Sequence, residues 1–398
     1  MSRTKKRQTK DNAQCAIRNS QLTKLVPLLL NWFSENARDL PWRRTRNPYA
    51  IWVSEIMLQQ TQVKTVIPYW KRWMRELPTI KAVANASPDK IHKLWEGLGY
   101  YTRVRNLQKA ARQIVEKHGG TFPKNFDDVL ALPGIGRYTA GAICSVAFNQ
   151  PVPVLDGNVI RVLTRIFGIG ENPREKETNA RLWQLAEELV GRAACSRFIG
   201  VLCPPRRGED TAPYHSFLNQ SLMELGALIC TPRNAKCKIC PAQKLCVAFR
   251  ENRVAELPNL GRRTTTTRRF IAFVIERNGK FLVRQRPAGI VNARLWEFPN
   301  VECVNGEADV KQIFKTIFST KPAKIQPLCT IKHSITRYRI TLEAFRVPLG
   351  GASSARPHNK IGRRGTPPSE IGVWLSLVKL DSLALASAHR KIMRRLQY

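Results

Sequence analysis

Apolar residues recur three and four positions apart over 22–33, 51–57, 66–74, 91–98, 104–115 and 182–190. That spacing gathers them on one face of a helix, so residues 22–250 are predicted to form a mainly α unit. Pro68, Pro88 and Pro173 suit first-turn positions, where an absent N–H costs nothing. Residues 1–21 carry Lys, Arg, Gln and Asn without an apolar period and are expected to be a disordered basic arm. From Glu251 to Thr267, a mix of Pro, Gly, Arg and Thr reads as a linker, residues 251–267. Beyond it the pattern changes to strands. Residues 270–275 are β-branched and aromatic, Asn278-Gly279 is a hairpin turn signal, and 281–283 returns. A helix over 310–318 and a strand over 334–345 complete an α+β unit, 268–398.

At 398 residues, two hydrophobic cores are expected rather than one. Lys and Arg number 66 against 29 Asp and Glu, a net charge of +37 that points to a polyanionic partner, nucleic acid first. The count is 40 against 21 up to Leu260 and 26 against 8 beyond it, so both units should face that partner. No apolar run reaches the roughly 18–20 residues of a membrane helix, and no membrane partner is expected. The basic, polar start lacks an apolar signal core, which predicts a protein of the cytosol and nucleoid, or of the nucleus, that is not secreted. In such a reducing compartment the ten cysteines should serve metal or core roles rather than bridges.

Cys230, Cys237, Cys240 and Cys246 form a C-x6-C-x2-C-x5-C array with Lys236 and Lys238 between them. Four thiolates so close in sequence can reach one metal centre. The spacing favours an iron–sulfur cube over tetrahedral zinc, which usually takes two C-x2-C pairs. The sequence Leu132-Pro133-Gly134-Ile135-Gly136 precedes the apolar run from Tyr138 to Ile143. Gly134 and Gly136 in such a turn between helices leave backbone N–H groups open to a phosphate oxygen, whatever the base. Glu55 and Asp156 each lie among apolar neighbours, a setting that can hold a carboxyl protonated near neutral pH.

The cysteine array, the LPGIGRYTAGAI hairpin followed by Asp156, the stretch SEIMLQQT, and Gly97-Leu98-Gly99-Tyr100-Tyr101 together resemble the helix-hairpin-helix DNA glycosylases. Within them the likeness is to adenine glycosylases of the MutY type, strong over about 22–246 and weak beyond. The resemblance implies a mainly α helix-hairpin-helix domain with one 4Fe-4S cluster, joined to an α+β Nudix-like domain. It implies a monomer that excises adenine paired with 8-oxoguanine or guanine from double-stranded DNA, after flipping the base out of the stack. Glu55 would protonate the leaving base and Asp156 would stabilise the cationic sugar, a division of labour like that in glycoside hydrolysis. Tyr138 stands where strand-cleaving relatives carry a lysine, which implies a monofunctional enzyme, with Asn158 as its polar neighbour. Gln60, Leu98 and Tyr100 match the family's wedge into the duplex, and Trp42, Arg43 and Arg44 match the loop lining the adenine pocket.

The C-terminal half departs from the family pattern. Glu297, Glu302 and Glu307 do not make the glutamate array of a phosphate-hydrolysing Nudix site. In His333-Ser334-Ile335-Thr336-Arg337, Thr336 is expected to contact 8-oxoguanine and Ile335 to wedge, with Arg337 in place of a histidine. Residues 190–217, with Cys195 and Cys203, read as an inserted surface loop. Two other readings stand beside the first: a bifunctional glycosylase and lyase for oxidised pyrimidines, and a noncatalytic iron–sulfur DNA-binding protein.

Overall fold

The computed structural model describes residues 2–193, 214–261, 264–303, 309–335, 337–349 and 372–397, the side chains of 2–18 and 193 excepted. They divide into two units: Met1–Asn85 with Asn106–Gly261, and Ala86–Arg105 with Arg262–Tyr398.

The first unit is helical. Its longest helix, Ser2–Asn36, runs through the stretch expected to be a disordered arm. That stretch lacks Gly and Pro and is rich in Lys, Arg and Gln, so helix can propagate backwards from the anchored turns at 22–33, where each added residue gains a hydrogen bond without a new nucleus. Leu22, Leu25, Leu29 and Phe33 pack with Val159, Val162 and Leu218 in one core. The helix Pro48–Leu58 is buried from Tyr49 to Met57, which explains its apolar character on every side. Pro88 sits in a first turn as expected, but Pro68 lies inside Val63–Glu76 and Pro173 in a turn before Lys176–Ala193. The helix pair Phe126–Leu130 and Arg137–Phe148 flanks the expected hairpin turn. The first part of the linker folds back onto this unit: Leu257 is buried and its carbonyl accepts from Arg165 Nε at 2.8 Å.

The second unit is built on a mixed sheet. Its strands are β1 Thr266–Arg277, β2 Lys280–Gln285, β3 Trp296–Glu297, β4 Asn300–Cys303, β5 Gln326–Ile335, β6 Tyr338–Pro348 and β7 Val373–Ser376. The order is β3-β2-β1-β6-β5, with β4 on β1 and β7 on β2. β1 runs parallel to β6 from Thr266↔Tyr338 to Glu276↔Pro348. Ile271, Phe273 and Ile275 pack toward Phe314 of the helix Val310–Phe318, while Ala272 and Val274 pack toward Ile392 of Ser387–Arg394. A strand covered on both faces reads as a continuous apolar run, which is why β1 shows no alternation in sequence. The single strand expected over 334–345 is instead two antiparallel strands that reverse between Ile335 and Tyr338. No Gly, Pro or Asn marks that turn, so the β-rich composition carries on through it.

Candidate active site

Asp156 is the N-cap of the helix Gly157–Phe167, and its carboxylate accepts from the Val159 N–H at 2.7 Å. The next turn completes its setting. Asn158 Nδ2 donates to Asp156 Oδ2 at 2.8 Å, and Asn158 Oδ1 accepts from Arg161 Nη2 at 2.8 Å. Burial raises the Asp156 pKa, and the N–H groups of Val159 and Asn158 oppose that rise by stabilising the charged form. This is an acid fixed in position by its own helix start.

Glu55 enters from the helix Pro48–Leu58 and Tyr138 from the start of Arg137–Phe148. The Tyr138 hydroxyl donates to Glu55 Oε2 at 2.8 Å. Burial pushes the Glu55 carboxyl up to about 7; the Tyr138 hydrogen bond works against this, the nearby Asp156 charge works with it, and Arg43 works against it. The Tyr138 phenol is raised well above its ordinary range, first by burial and then by the charges of Glu55 and Asp156. Near pH 7 the site therefore holds a carboxyl poised between its two states beside a phenol that keeps its proton.

Glu55, Tyr138, Asp156 and Asn158 line one cavity of about 340 Å³. That volume falls within the roughly 300–1,000 Å³ of small-molecule sites and accommodates a group the size of a purine. Gln60 reaches its rim, in a left-handed conformation with φ 57°. Trp42 and Arg43 are also in the wall, and Trp42 meets Trp70 edge-on at 6.0 Å between ring centroids. Arg43 is turned to a buried carboxylate. Its Nη1 and Nη2 donate to Glu224 at 3.1 and 3.0 Å, and the guanidinium lies over the Phe33 ring. Arg38 holds the same carboxylate from Nε and Nη2, both at 2.7 Å. Burial would raise Glu224, but the hydrogen bonds of Arg38 and Arg43 outweigh it and hold the carboxyl at about 2. Arg44 instead pairs with Asp39 at the surface.

Comparisons with known proteins place the whole chain in a family. A family model described as the HhH-GPD superfamily of base excision DNA repair proteins matches residues 53–188, and a NUDIX domain model matches 271–395. An adenine DNA glycosylase of Rattus norvegicus is 35% identical, over 92% of this chain and 76% of its own. One from Buchnera aphidicola (strain Sg) is 32% identical, over 92% of this chain and 96% of its own. The chain belongs to the adenine DNA glycosylases. A solved structure of a thermostable thymine-DNA glycosylase, 29% identical with TM-score 0.50, covers 58% of this chain and 98% of that one. The protein is thus an enzyme of base excision repair that cleaves the N-glycosidic bond of adenine in DNA.

Elsewhere in the glycosylase, the hairpin turn exposes Gly134 and Gly136 while Leu132 and Ile135 are buried beneath. Gly134 has φ +80°, and a Cβ there would lie 2.6 Å from the Asn106 Cβ, so the turn needs glycine both for its backbone and for its packing. In the turn 97–101, Leu98 is buried at 5% exposure, whereas Tyr100 is 39% exposed with φ 48°. The positive φ values of Gly97 and Gly99 accompany a leucine folded inward, so of the two wedge residues expected in this turn only Tyr100 is presented. Thr336 and Glu307, like Cys195 and Cys203, lie outside the described residues. Glu297 is buried and held by Arg284 and Arg286, so it is not placed as a free metal ligand.

The four cysteines of the array line one recess at the end of the helix Gly157–Phe167, together with Val162, Arg165 and Ile229. Burial first, then the neighbouring thiols, push Cys240 up to about 12 and raise Cys246 as well. Arg165 Nη1 donates to Cys230 Sγ at 3.4 Å. Four soft donors around one dry recess suit a cluster bound by thiolates. Among the described residues, no three Cys, His, Asp or Glu groups already stand at the spacing of a bound metal ion. Arg161 joins this loop to the catalytic turn: it donates to the Cys230 carbonyl through Nε and to Asn158 through Nη2.

Sequence reading missed Arg38, Glu224 and Arg161. Glu224 was findable, since it interrupts the apolar run from Leu222 to Leu228 much as Glu55 interrupts its own.

Proposed function

We propose that this glycosylase removes adenine paired with 8-oxoguanine or guanine, as a monofunctional hydrolase. The observation that carries the reading is a buried Glu55, at about 7, sharing one cavity with the helix-capping Asp156. With adenine flipped into the cavity, protonated Glu55 donates to N7. The bonding pair of the glycosidic bond leaves with the base, and Asp156 stabilises the positive charge left on the sugar. A water molecule then adds to the sugar carbon and loses its proton. Tyr138 donates to Glu55 and lies against the reacting atoms, and its phenol cannot form the imine that a lysine would. Asn158 orients Asp156.

Gly134 and Gly136 hold a DNA phosphate, and Gln60 and Tyr100 enter the duplex where the base has left. Thr336, with Ile335 and Arg337 beside it, reads the base opposite. Cys230, Cys237, Cys240 and Cys246 hold one 4Fe-4S cluster, whose contribution is to order the Lys- and Arg-bearing loop. The enzyme works as a monomer on chromosomal DNA, in nucleoid or nucleus. No helix of the described residues is long and apolar enough to cross a membrane.

Duplexes carrying 8-oxoguanine:A, G:A, thymine glycol:A and A:T test this reading. Abasic sites without nicks on the first two support it. A nick at thymine glycol would point to the bifunctional class, and binding without product to a noncatalytic protein.

A further inference from the structure

Glu96 follows the helix Pro88–Trp95 and stands one residue before the turn 97–101, and its carboxylate is enclosed within the second unit. Arg390 donates to it through Nε at 2.8 Å and Nη2 at 2.9 Å, the Leu385 backbone N–H at 3.0 Å and Lys93 Nζ at 2.9 Å. Arg390 makes further bonds beside it: Nη1 donates to Asp381 Oδ1 at 2.9 Å and to Met393 Sδ at 3.4 Å, and Nη2 also reaches the Leu383 carbonyl. The two side chains are only 16% and 11% exposed. A desolvated ion pair adds little stability over an apolar contact of the same shape, whereas its fork fixes one geometry. The turn that follows is held as tightly. Trp95 Nε1 donates to the Gly99 carbonyl at 3.1 Å, and Arg103 Nη2 donates to those of Leu98 and Gly99 at 2.9 and 3.0 Å. Tyr100 is kept in a left-handed conformation that a non-glycine residue adopts only under constraint.

We propose that Glu96 and Arg390 are positioning residues, a clamp that makes the turn 97–101 part of the Nudix-like unit and so lets that unit set where Tyr100 enters the duplex. This rests on the reading of Tyr100 as a wedge. Neither residue touches the adenine cavity, and the clamp acts through the turn alone.

The experiment is a double-mutant cycle of Arg390→Ala and Tyr100→Ala in the full chain. Two readouts are followed on an 8-oxoguanine:A duplex: the excision rate at subsaturating enzyme, and the fluorescence of a 2-aminopurine placed beside the mispair, which rises when stacking is broken. Each single variant should lower both by about tenfold, and the double variant should be no worse than the weaker single one. Arg390→Lys, which keeps the charge but loses the fork, should fall between wild type and Arg390→Ala. If Arg390→Ala does not fold, Glu96→Gln takes its place in the cycle, because it keeps an acceptor for the Leu385 N–H. Additive losses, or a folded Arg390 variant with unchanged fluorescence and rate while Tyr100→Ala is impaired, overturn the clamp. A silent Tyr100→Ala overturns the wedge reading and the clamp's role with it.

Discussion

The chemistry of the cavity turns on the state of a single proton. Glu55 is raised from an ordinary carboxyl value to about 7, so the fraction able to donate falls as pH rises through that point. The excision rate in single turnovers should therefore show an alkaline limb with a midpoint of about pH 7, measurable across a pH series. Glu55→Gln should abolish excision and leave duplex binding intact; substantial residual turnover would remove Glu55 from its assigned role. The same shift has a stability consequence. Because the folded value lies above the unfolded one, the stability linked to this proton is present below about pH 4.5 and is lost as pH rises through about 7. Glu55→Gln should therefore raise the melting temperature more at about pH 8 than at about pH 5. At the neighbouring position, Tyr138→Lys puts an amine beside the sugar. Borohydride should then trap a covalent protein–DNA adduct, and failure to trap one would place the side chain away from the reacting carbon.

Among the elements, the helix Arg137–Phe148 binds the site together, because it carries Tyr138 and packs on the segment leading to Asp156. Gly141 makes that approach possible: a Cβ there would lie 2.3 Å from the Pro153 carbonyl oxygen. Gly141→Ala should cost about 2 kcal/mol in chemical denaturation, by forcing helix and loop apart. Excision should fall with it, since Asp156 lies three residues beyond Pro153. The cysteine loop is the second decisive element. Purified protein should contain about four irons per chain, and Cys240→Ser should lose them together with the visible absorption of the cluster. One zinc per chain in place of iron would refute the cluster.

Across the whole molecule, the excess of cations sets the affinity for DNA of any sequence. With a net charge of +37 spread over both halves, duplex binding should weaken steeply as salt rises, log K falling by about 0.9 per phosphate contacted for each unit of log salt. A shallow slope in a titration would confine the contact to a few residues. The division into units also bears on function at this scale. The residues 86–105 belong with 262–398 although they interrupt the helical half in sequence, so the turn carrying Tyr100 belongs to the unit built on the mixed sheet.

Much of this was legible from residues alone. The cysteine spacing, the glycines of the hairpin turn and the helical period of the first half are local signals, and local signals survive without coordinates because backbone geometry over a few residues imposes them. The Val310–Phe318 helix and the Asn278-Gly279 turn were readable for the same reason. What local pattern could not supply was meeting. Glu55, Tyr138 and Asp156 each admit a bland reading on their own, and only packing of the helices around a common cavity gives Glu55 its raised pKa and Tyr138 its partner. Leu98 turned inward, Arg43 turned to Glu224, and the segment 86–105 joined the distant C-terminal half, because burial and charge pairing act through space between residues far apart in the chain. The sequence alone therefore determined the residue types and the elements that local period and turn residues mark, and the tertiary structure decided which of them share a dielectric environment, on which proton affinity depends.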